Sequence, residues 1–463
     1  MRASTSFLIG TLALTPGVGC GDDGDTGGAA AGCDTFASAN CVEIPGGDSA
    51  ALLEAVNALA DDTTVLLGAG TYELDNQVTI RADGIKLAGR GIDRTTLSFG
   101  TTTTQANGID AVGDDFLVQD LTVLDAPKDA IRVENSDGVV YRRVKTTWTN
   151  PADSSNGAYG IYPVRCRNVL IEDSVAEHAS DAGLYVGQSI NVIVRDNRVE
   201  GNVAGLEIEN TQFADVYDNV ATGNTAGIVV FDLPGNPVVG RDVRMRDNQI
   251  FDNNLDNFAP GGIVSEIPAG TGTFAFASRR VEIRDNDYQN NDTVDIAILN
   301  GQVVEGADAW VLDTDALIGD WEDLGLLAGP EEGTVTNFRS ENIVIAGNTH
   351  EGSGTSVDVS KELGLLVGFL YTVGDDTRGQ VPSIIYDAIG ESAFDADDPA
   401  ANSNDNHICA GGNPNANAFG SMDALTQVGA NLMAPHLIIE DPPFAPFDCD
   451  ALEGGPIPEV SLQ

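Results

Sequence analysis

The segments VIVRDNRVEGNVAGLEI (192–208) and ADVYDNVATGNTAGIVV (214–230) carry the same two asparagines and the same Ala-Gly-aliphatic ending. Asn197 and Asn202 return as Asn219 and Asn224, a step of 22 residues with the offset of five kept. VLIEDS (169–174), VRMRDN (243–248), VEIRDN (281–286) and IVIAGN (343–348) fall into the same columns, and FLVQDL (116–121) and VVYRRV (139–144) fit them without the asparagine. Each unit runs on into a second short strand: AIRV, GIYPV, GLYV, GLEI, GIVV. Strands this short, alternating in polarity and bounded by Gly or Asx turns, cannot bury a face alone.

Stacking them does. A period near 22 with two or three strands per unit predicts an all-β chain coiled as a right-handed parallel β-helix, each coil bonded to its neighbours about 4.8 Å away. Asn197, Asn219, Asn248, Asn286 and Asn348 would then form one inward ladder, and Asn202, Asn224, Asn253 and Asn291 a second, with amides bonding from coil to coil. From Asn197 the steps are 22, 29, 38 and 62 residues, so insertions lengthen toward the C-terminus. The largest, around 313–333, has apolar spacing that predicts one or two short helices. DSAALLEAVNALADD (48–62) predicts a helix covering the first coil, and KELGLLVGFLYTV (361–373) with the Asx-rich tail is expected to cover the last. The β-helix is accordingly placed at 49–360 and a C-terminal capping region at 361–463.

The first 20 residues combine Arg2, the apolar run FLIGTLAL and small residues, the layout of an export signal. GVGC at 17–20 resembles the lipobox of bacterial lipoproteins, with Gly17 where leucine is usual, which implies lipidation of Cys20 and a lipid anchor as the sole membrane attachment. Residues 21–48 read as a flexible tether holding a small disulfide loop. Export makes two disulfides the preferred pairing, Cys33–Cys41 and Cys409–Cys449, and leaves Cys166 as a small buried hydrophobe. A formal charge of −48, from 71 acidic against 23 basic residues, excludes nucleic acid as a partner and suits a salty or calcium-containing medium.

GAYGIYPVRC, SDAGLYVGQS, NVAGLEIENT, GIVVFDLPG and PGGIVSEIPAGTG resemble a family of exported bacterial parallel β-helix repeat proteins, often lipoproteins, within the pectate-lyase-like superfamily. The resemblance implies the fold and a place in the cell envelope, and carries over no catalytic residue. Genes of that family commonly neighbour one for a c-type cytochrome, which implies a role as accessory to an envelope redox system.

Alternation also says which side chains leave the solenoid. With Ile131, Ile161, Leu184, Leu206 and Ile228 inside, Arg132, Tyr162, Tyr185, Glu207 and Val229 form one outward column and Glu134, Val164, Gly187, Glu209 and Phe231 another. Lys128, Asp129, His178 and Asp181 lie just before these strands. Tyrosines beside carboxylates suit sugar rings, so the first expectation is an envelope scaffold or binding protein that presents this wall to a glycan or a protein partner. Glu134, Asp181, Glu207 and Glu209 are its candidate binding residues. The enzymatic alternative is a polysaccharide lyase or C5-epimerase acting on a uronate, with Tyr162, Tyr185, His178 or Lys128 as base and Arg132 holding the carboxylate. Glu207, Glu209 and Asp232 are candidate calcium ligands. His407, Cys409, Met422, Met433 and His436 resemble a soft copper set, except that a disulfide at Cys409 would remove its thiolate. Arg142, Arg195, Arg246 and Arg284, alternating with Glu172 and Tyr217, predict a charge-compensated ladder.

Overall fold

The computed structural model describes residues 32–373, 379–391, 394–423 and 437–463. The export segment, Cys20, Met433 and His436 lie outside the described residues. Parallel strands stack into three ladders. The first runs through Arg167–Glu172, Ile190–Arg195, Gln212–Tyr217, Arg241–Arg246, Arg279–Arg284 and Glu341–Ala346; the second through the three-residue strands Val175–Glu177, Arg198–Glu200 and Val220–Thr222; the third through Tyr159–Val164, Ala182–Gly187, Ala204–Glu209 and Ala226–Phe231. Registers match the repeat: Val169 pairs with Val192, Val192 with Ala214, and Leu184 with Leu206. These inward residues, with Ile171, Val194, Ile228 and Met245, are fully buried in one continuous core. Each of the larger ones, Val, Leu, Ile or Met, contributes about 1.5–3 kcal/mol by leaving water.

Both asparagine ladders form. Asn197 Nδ2 donates to Asn219 Oδ1 over 3.0 Å, Asn219 to Asn248 over 3.0 Å, Asn248 to Asn286 over 2.9 Å and Asn286 to Asn348 over 3.0 Å. Asn413, which the repeat did not flag, extends the column, accepting from Asn348 at 3.0 Å. The second column runs Asn202, Asn224, Asn253, Asn291. Each interior amide also donates to a carbonyl of the preceding coil, as Asn219 does to Val194, and each oxygen accepts a backbone N–H, as Asn219 does from Asn197. An asparagine so placed meets both its donor and its acceptor capacity.

Local backbone explains the motif around these asparagines. The residue before each first-column asparagine has a left-handed φ: Asp196 56°, Asp218 55°, Asp247 55°, Asp285 54° and Gly347 74°. Gly201, Gly223, Asp252 and Asn290 do the same for the second column. Asp, Asn and Gly are the residues that tolerate this conformation, hence the repeated Asp-Asn and Gly-Asn pairs. The glycine of the Ala-Gly ending faces the ladder: a Cβ on Gly183 would stand 2.6 Å from Asn202 Nδ2, and one on Gly205 2.9 Å from Asn224 Nδ2.

The coils extend beyond the expected boundaries. They begin with Asn40–Ile44, paired to Thr63–Leu67, and continue through Ile384–Asp387, Ile408–Cys409 and Phe419–Met422. The helix Ser49–Asn57 is present, with Asp48 accepting from Ala51 N at 3.0 Å and Leu52 and Val56 buried over the first coil. Residues 313–333 are not helical. They form a 3-10 turn and a small antiparallel sheet of Val311–Asp313, Leu327–Ala328 and Thr334–Thr336, because Gly319, Gly325, Gly329, Pro330 and Gly333 interrupt the apolar spacing. The helix Glu362–Gly368 does not cover the last coil either. Val367, Leu370 and Tyr371 pack on the outside of the third sheet, while Phe444 and Phe447 join the core at the C-terminal end. Disulfides join Cys33 to Cys41 and Cys409 to Cys449, and Cys166 is free and buried. No helix among the described residues is long and apolar enough to cross a membrane.

Candidate functional site

The outer face of the third sheet carries the candidate residues in the expected columns. Arg132 pairs with Tyr162, Tyr185 with Glu207 and Glu207 with Val229; Glu134 pairs with Val164, Gly187 with Glu209 and Glu209 with Phe231. Pointing away from the core does not expose them all, however. Tyr185, Glu207 and Glu209 are 4, 1 and 4% exposed, and Tyr185 belongs to an apolar cluster on this face that also takes in Phe258, Val264 and Ile267 of the insertions. Tyr159, Tyr162 and Asp181 remain half-buried. The wall is thus a narrow aromatic rim over buried acids instead of a shallow open face.

Three tyrosines form the rim. Ring centroids of Tyr159 and Tyr162 are 4.7 Å apart, Tyr159 and Tyr185 4.6 Å, and Tyr162 and Tyr185 4.9 Å in an edge-on contact. Gly187 makes this possible: its missing Cβ would fall 2.5 Å from the Tyr185 ring. Tyr185 therefore lies flat across Gly187 and its hydroxyl bonds Glu209, which also accepts from Asn236 at 2.6 Å and Gln188 at 3.4 Å. Tyr159 was missed because strict alternation puts it on the opposite face from Tyr162. The alternation breaks at Gly160, which turns inward toward Thr146 and Ala176. A tyrosine directly before a glycine at the strand entry was the available signal.

Burial shifts the acids beneath the rim toward their protonated forms. Burial pushes Asp181 up to about 7 against the hydrogen bond donated by Tyr159, which favours the carboxylate, and the charges of Glu209 and Asp129 oppose ionisation further. Burial likewise raises Glu207 well above the carboxylate range, helped by Asp181 and Glu209, and raises Glu209. Asp129, 1% exposed, rises to about 6. Desolvation raises Tyr162 to about 12 and holds Tyr159 and Tyr185 higher still, so all three phenols stay neutral donors. One oxygen each of Glu207 and Asp129 is buried without a partner. The cluster can thus offer both O–H donors and carboxylate acceptors near neutral pH.

The cations and the histidine are less available than the sequence suggests. Arg132 lies over the Tyr162 ring at 6.0 Å, but its guanidinium bonds Glu134 and stands 3.4 Å from Asp110. Glu134 also faces Arg165 at 3.6 Å. Lys128 is exposed, 3.9 Å from Asp129. His178 belongs to the turn before the third sheet, its Nδ1 3.0 Å from Trp148 O, so its bonded partner is the backbone and not a tyrosine of the rim.

The candidate calcium ligands do not converge. Asp232 turns to Gly240 N at 3.0 Å, Asn337 at 3.1 Å and the buried Arg279 at 3.5 Å. Glu207 and Glu209 would both have to ionise to hold calcium, which their burial opposes. Of the copper set, Met422 is buried in the third sheet and Cys409 is in its disulfide.

Residues 107–309, which include the candidate residues from Lys128 to Asp232, match the family model of the right-handed β-helix region. These coils are a right-handed β-helix. No curated protein gives a significant match. Among solved structures, the right-handed β-helix is similar to the A-module of a mannuronan C-5 epimerase from Azotobacter vinelandii, with 19% identity, covering 70% of this chain and 89% of that one at a TM-score of 0.46. A hyperthermoactive exopolygalacturonase from Thermotoga maritima matches at 12% identity over 67% and 87%, TM-score 0.38, and pectate lyase Pel9A at 14% over 57% and 69%, TM-score 0.33.

Proposed function

We propose that this β-helix is an extracytoplasmic glycan-binding protein that takes a saccharide at the rim of Tyr159 and Tyr162. The observation that carries this reading is the three-tyrosine cluster packed over Asp181, Glu207 and Glu209, half-open to solvent on one side. Aromatic faces stack on sugar C–H surfaces, and the acids beneath supply hydrogen bonds to hydroxyls. The two disulfides support a compartment outside the cytoplasm. The acidic setting favours neutral or amine-bearing sugars over uronates, since Arg132 already serves Asp110 and Glu134. A lyase or epimerase would use the pair of Tyr159 and Asp181 as acid and base and would have to draw its cation, Lys128, from the contact with Asp129 at 3.9 Å.

An oligosaccharide array, followed by an ultraviolet assay for the unsaturated product on each glycan that binds, tests the proposal. Retention of a neutral or amine-bearing glycan without product supports it. Product from a uronate replaces it with the lyase, and an array with no binder removes it.

A further inference from the structure

Among the described residues, His407, Cys409 and Cys449 bring their ligating atoms within 4.8 Å of one another. We propose that a dithiol reductant converts this staple into a binding site for a thiophilic metal ion of the zinc class, held by both thiolates and the His407 imidazole. In chemical balance, the incoming dithiol is oxidised to its own disulfide while Cys409 and Cys449 become thiols. Metal binding then releases both thiol protons to solvent.

One ligand pair is already spaced for such an ion, and the two sulfurs, once reduced, have only to part to about 3.8 Å. His407 Nε2 stands 3.6 Å from Cys409 Sγ, and nitrogen and sulfur ligands of a tetrahedral zinc lie about 3.5 Å apart given bond lengths of about 2.0 and 2.3 Å. The left-handed φ of His407, 49°, folds its ring back beside Cys409. Backbone bonds hold both cysteines apart from the disulfide itself. Ile408–Cys409 pairs with Ile343 and Val344, Gly411 N donates to Cys449 O at 2.9 Å, and Ala410 N donates to Phe447 O at 2.9 Å. Reduction therefore leaves the sulfurs adjacent.

His407 Nε2 now donates to Ala451 O at 2.9 Å, and its Nδ1 faces Glu453 at 3.6 Å. Moving the ring proton to Nδ1 would free Nε2 for the ion while Glu453 holds the other nitrogen, the usual arrangement behind a ligating histidine. A cavity of about 210 Å³ lined by His407, Glu453 and Asp405 opens on the imidazole side and leaves room for a fourth ligand; Cys409 is buried, so the half-buried Cys449 is the sulfur a reductant would meet.

The test uses the full chain with Cys20→Ser, Cys33→Ser and Cys41→Ser, so that the staple and the buried Cys166 are the cysteines left. The reduced protein is titrated with Co²⁺ under anaerobic conditions. A thiolate-to-cobalt charge-transfer band saturating at one equivalent is expected. It should be absent from the oxidised protein, displaced by Zn²⁺, abolished by Cys409→Ser and weakened by about tenfold or more in His407→Ala. No band from a reduced chain that keeps its β-sheet circular dichroism overturns the proposal, as does a band that survives Cys409→Ser. Should reduction unfold the chain, failure of the metal to restore the β-sheet signal overturns it too.

Discussion

The Asn219 side chain makes four hydrogen bonds: to Val194 and Asn248 through Nδ2, and from the backbone and side chain of Asn197 through Oδ1. Asn219→Ala leaves Asn197 N buried without its acceptor and takes one bond each from Asn197 Nδ2, Val194 O and Asn248 Oδ1, and should lower stability by about 3 kcal/mol in urea unfolding. Gly187→Ala drives a methyl into the Tyr185 ring and separates its hydroxyl from Glu209. That overpacking is expected to cost about 1–3 kcal/mol and to change the near-ultraviolet circular dichroism of the tyrosines. Protonation has a definite sign. Asp129, Asp181 and Asp232 keep their protons in the fold up to about 6, 7 and 7, against 3.8 for an ordinary aspartate. Between those limits the folded chain binds more protons than the unfolded one, so stability declines as pH rises through that window. Asp110, Glu172 and Asp358 are held below their usual values and give the opposite dependence at lower pH. Asp181→Asn should flatten the decline between about pH 4 and about pH 7, read from urea midpoints across that range.

At the scale of elements, the insertion 313–333 sits on a small satellite core of Val239, Leu312 and Leu324, and is pinned by Gln212 to Asp320. Asp313 and Thr334 are paired across its antiparallel arms, so Asn-Gly can join them directly. The shortened chain should unfold cooperatively at close to the parent midpoint and keep its tyrosine signal; loss of the β-sheet spectrum would show that the insertion holds the coils. Registers of the ladders were legible in the sequence because every coil repeats the same left-handed Asp or Gly, the same asparagine and the same inward aliphatic. Columns of the third sheet, including Tyr162, Tyr185, Glu207 and Glu209, were legible for the same reason. Tyr159 was not, since one inward glycine broke the alternation. Burial of Tyr185, Glu207 and Glu209 was not either: the apolar cluster that holds Tyr185 includes Phe258, Val264 and Ile267, and Asn236 caps Glu209, all from insertions with no repeat of their own. The third-ligand role of Asp232 failed because Arg279 and Asn337, remote in sequence, engage it.

Over the whole molecule, the coils present two different long faces. On the first sheet, Glu172 bonds both Arg142 at 2.5 Å and Arg195 at 2.5 Å, Arg246 lies 4.2 Å over Tyr217, and Arg284 reaches Asp450 O at 2.6 Å. That ladder compensates its own charge, as its alternation predicted. The third-sheet face instead gathers Asp181 and Glu209, whose partners are tyrosines, Gln188 and Asn236, and the apolar residues Phe258, Val264 and Ile267 of the insertions join its cluster. Tyr217 and Tyr162 therefore offer matched tests of where a ligand goes, both being half-buried tyrosines beside an arginine. The most direct measurement is calorimetric titration of the best array glycan into the parent protein, Tyr162→Ala and Tyr217→Ala. Loss of affinity by about tenfold or more, worth about 1.4 kcal/mol, in Tyr162→Ala alone is the predicted result. Equal affinity in Tyr162→Ala and the parent, or a loss confined to Tyr217→Ala, would contradict the assignment of function to the tyrosine and carboxyl face.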